Sequence, residues 1–447
     1  MIVARFVSLG EELSLGADYS WAKSIKRWKM LNTINLLNVV ELCDLPESLR
    51  INQEIFPCGG SVLFDKEDSL MQVFDAESDA DFYALCNSLE AVGFKSDFQN
   101  RIAKNLFVEY SRNGQRIYLY YLDELKKIRA TLIRNGCSTK DFCYSAPAVA
   151  ESEFVFFRQQ YIDEDTYLIR CCDNSWIFID GGMADYPGFD DSLAEDVYSF
   201  MRKRSGLSDG EKLIISCWFM THAHRDHLQA FSAMLKNHHD QIELQRVLAN
   251  PNDPERIVKR NSSQPSYEIC RERIAKWYPH VLFLKAQTGM ELQIANVHFR
   301  ILYTQQDHVE EWYVGDPAHH NLNFNNSSTV AMIEVDGMKI LELADLFFTQ
   351  DYVAPIYPMS VLECDILKVA HHYIDVYSDG FYQALTEHKM PQYALINATP
   401  SREFAHSLLL KQIMGERAIL GSTDKIREFK MKSGKLEMTA CSVEQFR

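Results

Sequence analysis

The stretch CWFMTHAHRDHLQAF, Cys217 to Phe231, sets three histidines and an aspartate within six positions: His222, His224, Asp226 and His227. Two apart on an extended segment, His222 and His224 can point the same way and bind one metal ion. Asp226 and His227 lie further round the turn and can face a second. Neutral imidazole and carboxylate are zinc-type donors, also usable by iron or manganese. The bland alternative is a polar loop whose histidines only cap the next helix. Four ligand-type side chains at this spacing are more than a cap requires.

A metal site needs further ligands from distant sequence, and the elements around the cluster show where they come from. KLIISCWFM reads as a buried strand and Leu228–Lys236 as a helix, so the cluster sits at the C-terminal end of a strand, where α/β architectures build sites. Two later apolar strands end in ligand types: GMKILELAD at Asp345, and CDILKVAHHY at His371-His372. Upstream, TYLIRCCDNSWIFIDGG predicts a hairpin turning at Asp173-Asn174 and ending at Asp180-Gly181-Gly182. A helix follows, with Leu193, Val197, Phe200 and Met201 in a stripe behind Asp190, Asp191 and Ser192.

The first third has a different texture. DADFYALCNSLEAVGF puts Phe82, Leu85, Leu89 and Val92 on one helical face, with Asp79 as N-cap and Gly93 beyond the C-terminus. Two β-rich runs then flank Asn113-Gly114, a type I′ hairpin signal. This is a small α+β unit without a cluster of catalytic residue types. The small, polar run Asn135 to Glu153 is the expected linker. The division is therefore an N-terminal module over 1–145 and a second domain over 154–447.

Composition bounds the rest. The 447 residues carry 46 Lys and Arg against 62 Asp and Glu, a formal charge of −16. Such a chain is a poor electrostatic match for long nucleic acid, and a small-molecule or short anionic substrate is expected instead. No apolar run approaches the roughly 18 residues that a membrane span needs. The N-terminal residues predict neither a signal peptide nor an anchor. Eleven scattered cysteines without a CxxC pair fit reduced thiols and a cytoplasmic location. The oligomeric state is not legible.

From about Phe154 onward the chain resembles the metallo-β-lactamase superfamily, whose motifs match residue by residue. The resemblance implies a four-layer αβ/βα sandwich, preceded here by the small α+β domain, with a metal site at one edge between two sheets. Asp180 in IFIDGG matches the first motif, which orients ligands rather than binding metal. His222, His224, Asp226 and His227 match the second, and Asp345 the fourth, which bridges two metals in dinuclear members. His371 matches the fifth, with His372 competing because the doublet is ambiguous. NNSSTVAMIEVDGMKILELAD and DILKVAHH are similar to the hydrolase domain of bacterial competence (DNA-uptake) proteins. Tyr373, however, stands where those proteins place a glycine.

The third motif usually supplies a histidine beside His222 and His224. Here His308, His319, His320 and the Asn325-Asn326-Ser327 segment compete for that place, and the asparagine segment fits best by position. The resemblance thus implies two divalent ions, zinc first with manganese or iron as alternatives, the one beside His222 and His224 weakly held. It implies a bacterial hydrolase using a metal-bound hydroxide on a phosphodiester or related phosphoryl group. Asp226 would orient the hydroxide, Asp180 would fix the histidine loop, and His406, opening the last helix, would bond the substrate or protonate a leaving group. Arg225 either contacts an anionic substrate or faces solvent, and the aromatics around Trp312-Tyr313 either line the pocket or pack. Alternatives within the fold are lactone, amide or thioester hydrolysis. Outside catalysis the alternative is a sensor or binding protein that keeps the metal site.

Overall fold

Asn113 and Gly114 both take positive φ, 50° and 80°, and the chain reverses between strands Asn105–Arg112 and Gln115–Leu122 with Arg112 opposite Gln115. In the computed structural model the described residues are 53–60, 68–133, 136–158, 164–184, 190–250, 264–308, 324–373, 378–398, 408–421 and 424–447. The hairpin belongs to a six-stranded sheet in the order Gln53–Gly60, Asp68–Asp75, Lys127–Ile133, Gln115–Leu122, Asn105–Arg112 and Lys95–Ile102. Every neighbouring pair in it is antiparallel.

Helix Asp79–Ala91 covers one face of this sheet, burying Phe82, Leu85, Cys86 and Leu89. Its N-cap is Ser78, not the expected Asp79. The Ser78 hydroxyl accepts from Ala80 N at 3.2 Å, while Asp81 Oδ2 accepts from the backbone of Glu77 and Ser78 at 2.8 and 3.4 Å. That reciprocal arrangement satisfies more of the first-turn N–H groups than Asp79 could from inside the helix. Val92 lies just past the end, and Gly93 takes the left-handed conformation at φ 92°.

The remainder is mixed α/β around two more sheets, one of nine strands and one of seven. Strands Trp176–Asp180, Leu213–Met220, Arg246–Ala249 and Leu282–Lys285 run parallel in the first. Met338–Glu342, Ile366–Lys368, Tyr393–Ile396 and Ala418–Leu420 run parallel in the second. Period-two alternation splits each strand between two cores. Ile177, Ile179, Cys217 and Phe219 face the seven-stranded sheet, sharing a cluster with Phe299, Ile301, Ile333 and Leu341. Trp176, Phe178, Trp218 and Met220 face outward, under helices Ser192–Ser205 and Gln229–His238 with Val197, Phe200, Phe231 and Met234. Each fully buried side chain of this kind contributes roughly 1.5–3 kcal/mol. Helices Asp379–His388 and Leu408–Met414 add Phe381, Tyr382 and Leu410 to the core of the seven-stranded sheet. Two facing sheets flanked by helices are consistent with the expected αβ/βα sandwich.

The antiparallel sheet shares that same core through Phe107, Tyr118 and Tyr120. Tyr118 donates to Thr288 O at 3.1 Å, Tyr120 to Asp307 Oδ1 at 2.9 Å, and the fully buried Arg129 to Gln306 O at 2.9 Å. Within the stretch expected to be a linker, Thr139–Phe142 is a short helix whose Phe142 is buried. Its first residue donates from N and Oγ1 to Glu109, at 3.2 and 2.5 Å. Gly289 permits the closest approach. Its φ is 87°, and a Cβ there would lie 1.9 Å from the Phe107 ring.

Gly289→Ala should therefore combine left-handed strain with overpacking and lower the unfolding free energy by about 2–4 kcal/mol. Gly434→Ala is the control, because Gly434 also has positive φ, 75°, but open space around its Cβ. It should cost only about 1 kcal/mol. Denaturant unfolding of the two variants side by side checks the difference, and equal losses would refute the packing argument.

Candidate metal centre

The ends of parallel strands from both sheets meet at one seam. Asp180 closes strand Trp176–Asp180, and its carboxylate reaches across to the neighbouring strand end. Oδ1 accepts from Thr221 N at 2.8 Å, and Oδ2 accepts from Thr221 Oγ1 at 2.8 Å. Oδ2 also lies 2.8 Å from His227 Nδ1. One buried carboxylate thus fixes the backbone entering the histidine loop and the ring that closes it. Thr221 Oγ1 in turn lies 3.1 Å from His222 Nδ1, leaving Nε2 as the outward nitrogen. The two glycines after Asp180 are needed for room. A Cβ at Gly181 would lie 2.6 Å from Phe231 Cβ, and one at Gly182 would lie 2.5 Å from Leu193 Cδ2. Their carbonyls accept from Phe231 N and Ala230 N at 3.0 and 3.1 Å, tying the loop to the next helix.

From the facing sheet come Asp345, after strand Met338–Glu342, and the doublet after strand Ile366–Lys368. Thr329 N donates to Thr221 O at 2.9 Å, a backbone bond joining the segment that enters strand Val330–Val335 to the histidine loop. Two groups of ligand atoms result, each within 4.8 Å: His222, His224 and Asp345, and Asp165, His227, Asp345 and His372. Asp345 Oδ2 stands 3.0 Å from His227 Nε2, 3.1 Å from His372 Nε2 and 3.8 Å from His222 Nε2. His222 Nε2 and His224 Nδ1 are 3.1 Å apart. Asp226 Oδ2 lies 3.3 Å from His372 Nε2 and 3.7 Å from His227 Nε2.

Of the doublet, His372 and not His371 enters these groups. His371, His372 and Tyr373 all take positive φ, 45°, 52° and 59°, so the chain coils left-handed and turns the second imidazole inward. His371 Nε2 instead sits 3.0 Å from Asn325 Nδ2, and its ring packs edge-on to Phe347 at 4.3 Å. Tyr373 accepts the strained conformation, and its buried hydroxyl donates to Asp379 Oδ1 at 3.0 Å. Of the asparagine segment, Asn325 meets His371. His308 is elsewhere, its ring 4.7 Å from that of Tyr352. His319, His320, Trp312, Tyr313 and His406 lie outside the described residues. Arg225 is half-buried in the short helical turn Arg225–His227.

The sequence reading missed three groups. Asp165 ends an acidic run before a strand. Its Oδ2 lies 3.4 Å from His227 Nδ1 and 2.6 Å from Lys368 Nζ. Lys368 and Glu342 lie in apolar strands, and both are buried. A lysine inside DILKV was the available signal, since a buried ammonium needs partners.

Electrostatics favour positive charge here. Burial opposes protonation of His227, but Asp345, Asp180 and Asp165 outweigh it and hold the imidazole well above its ordinary range. His372 is likewise pushed up to about 10, against burial, by Asp345 and Asp165. Burial pushes His224 down to about 4 and, with His227 beside it, holds His222 low. Burial raises Glu342 to about 8. Carboxylates that draw protons onto two imidazoles would draw a divalent ion more strongly, and the ion would displace those protons. Imidazole and carboxylate donors converging from several loops fit zinc, manganese or iron.

No protein-family model matches this chain, and no curated protein does. Among solved structures it is similar to CmlA, a diiron β-hydroxylase from Streptomyces venezuelae. That match has 11% identity and a TM-score of 0.36, and it covers 62% of this chain but only 53% of that one. It is also similar to YhfI, a metallo-β-lactamase fold protein from Bacillus subtilis, at 13% identity and TM-score 0.36, covering 64% of this chain and 99% of that one. A B3 metallo-β-lactamase with an active-site glutamic acid matches at 14% identity and TM-score 0.27, over 57% of this chain and 96% of that one.

The choice between the histidines is measurable. His372→Ala should lose at least half of the metal retained by the purified protein after dialysis, and His371→Ala should retain it. Metal analysis of both variants decides, and the reverse pattern would move the ligand back to His371.

Proposed function

We propose that this chain is a metal-dependent hydrolase of the metallo-β-lactamase superfamily, with its active site at the seam between the two larger sheets. The observation that carries the reading is Asp345, whose Oδ2 belongs to two converging donor groups at once. A carboxylate shared in this way suits a two-ion centre. Divalent ions held there would polarise a scissile bond and lower the pKa of a coordinated water toward about 7.

The chain's own residues set up the rest. His222 and His224 hold one side and His227 and His372 the other, with Asp226 Oδ2 beside the second set at 3.3 Å from His372 Nε2. Asp226 takes the additional task of orienting the attacking water, since its Oδ2 approaches His372 and His227 without being locked by Lys368. Asp180 positions the histidine loop. The substrate reading is a small or short anionic phosphodiester or related phosphoryl compound, on resemblance of motif. Hydrolysis of a lactone, amide or thioester is the alternative. A sensor that binds metal without turnover is the reading from another class.

The division into a module over 1–145 and a hydrolase domain over 154–447 belongs to the same proposal. So does a cytoplasmic location, which is supported by nine cysteines that are free thiols. No helix among the described residues is long and apolar enough to cross a membrane.

The two metal positions are unequal on this reading, because the His222 and His224 side has no third histidine among the described residues. Titration with a chelator should remove one equivalent of metal before the other, and departure of both together would contradict it. Asp226→Ala should lower turnover at least roughly 100-fold on whichever member of a phosphodiester, phosphomonoester, lactone and thioester panel the unmodified protein cleaves. Its melting temperature should stay within a few degrees. Metal binding without turnover on any member would favour the sensor.

A further inference from the structure

Lys368 is fully buried, and the ligand sets leave it without a task. A buried ammonium is costly unless every proton has an acceptor. Here Nζ meets three: Ala344 O at 2.6 Å, Asp165 Oδ2 at 2.6 Å and Asp345 Oδ1 at 3.3 Å. Glu342 Oε1 stands further off at 4.0 Å.

The three acceptors divide in an informative way. Ala344 O belongs to the backbone just before Asp345, in a residue with positive φ, 51°. That turn is also held by Ala344 N donating to Glu342 Oε1 at 2.8 Å, Asp345 N donating to Ser328 Oγ at 3.1 Å, and His371 N donating to Ala344 O at 3.1 Å. Lys368 thus grips the backbone before Asp345 and one oxygen of its carboxylate together. A carboxylate held at Oδ1 from behind cannot rotate freely about χ2. Oδ2 is left as the oxygen nearest His222, His227 and His372. Asp165 completes the clamp, anchoring the ammonium through Oδ2 while standing 3.4 Å from His227 Nδ1.

We propose that Lys368, anchored by Asp165, is the positioning residue that turns Asp345 so that Oδ2 alone is presented to both metal positions. This rests on the two-ion reading of the site. If Lys368 were needed only to neutralise buried carboxylates, any arrangement of equal net charge would serve as well. If it sets the rotation of Asp345, a charge-balanced replacement without the ammonium loses the shared oxygen.

The experiment loads full-length protein with manganese(II) and records metal stoichiometry and the electron paramagnetic resonance spectrum. A single bridging oxygen couples two manganese ions magnetically. The unmodified protein should bind two equivalents with a coupled spectrum. Lys368→Met, and the charge-balanced Lys368→Met with Asp165→Asn, should each bind the second equivalent at least tenfold more weakly or show two uncoupled ions. Asp165→Asn alone, which keeps the ammonium and removes only that member of the donor group, should keep both ions coupled. An equal loss in that single variant would overturn the proposal. Circular dichroism should report an unchanged fold for the charge-balanced variant. A coupled, two-equivalent spectrum in that variant would overturn the proposal. So would loss of the folded state in both Lys368 variants, which would assign Lys368 to stability alone. Failure of the unmodified protein to bind two ions sinks the two-ion reading itself, and this proposal with it, whereas normal loading there and in the charge-balanced variant sinks this proposal alone.

Discussion

Four carboxyl side chains, of Asp165, Asp180, Glu342 and Asp345, are buried at the seam between two sheets, each no more than 1% exposed. Taking such groups out of water is expensive, and the site is arranged around offsetting that cost. Lys368 meets Asp165 and Asp345, while His227 lies between Asp180 on one side and Asp345 on the other. Burial pushes Glu342 up to about 8, so its negative charge is disfavoured there. One lysine does not balance the remaining three carboxylates, and the shortfall is drawn from imidazoles or from metal. The demand for positive charge in a dry place is what makes the seam a site.

Keeping that arrangement requires backbone conformations that an unsupported chain avoids. Asp180, Ala344, His371, His372 and Tyr373 all have positive φ. Non-glycine residues in this region cost on the order of 1–3 kcal/mol each and persist only where the surroundings impose them. The surroundings here are the closed ends of two sheets. Gly181 and Gly182 let the helix Gln229–His238 press against the loop, and Tyr373 pins the doublet to the following helix through Asp379. Strain is thus concentrated at the strand ends that carry ligand types, and the strands behind them supply the rigidity.

The antiparallel sheet bears on the site at one remove. Its Arg129 and Tyr120 hold Gln306 and Asp307, whose short turn follows strand Val297–Tyr303 in the seven-stranded sheet. Asp307 is fully buried and also accepts from Thr288 Oγ1 at 2.6 Å and Thr304 N at 3.0 Å. A buried carboxylate with this many donors is a rigid joint. The N-terminal sheet thereby braces the turn that closes strand Val297–Tyr303.

Much was legible in the sequence because it is encoded within a few residues. Apolar and β-rich runs marked the strands, Asn113-Gly114 marked its hairpin, and HAHRDH, Asp345 and the His371-His372 doublet marked strand ends with ligand chemistry. Those features follow from side-chain type and backbone period, which act over one turn or one pleat. The tertiary structure decided the rest. Which histidine of the doublet points inward depends on three successive left-handed residues, which no propensity would assign to His-His-Tyr. That Asp165 and Lys368 belong to the site depends on two strands from different sheets closing over each other, far apart in sequence. A carboxylate in an acidic run and a lysine in an apolar strand have no local signature of partnership. Their pairing is fixed by burial, because in the dry seam each is stable only against the other.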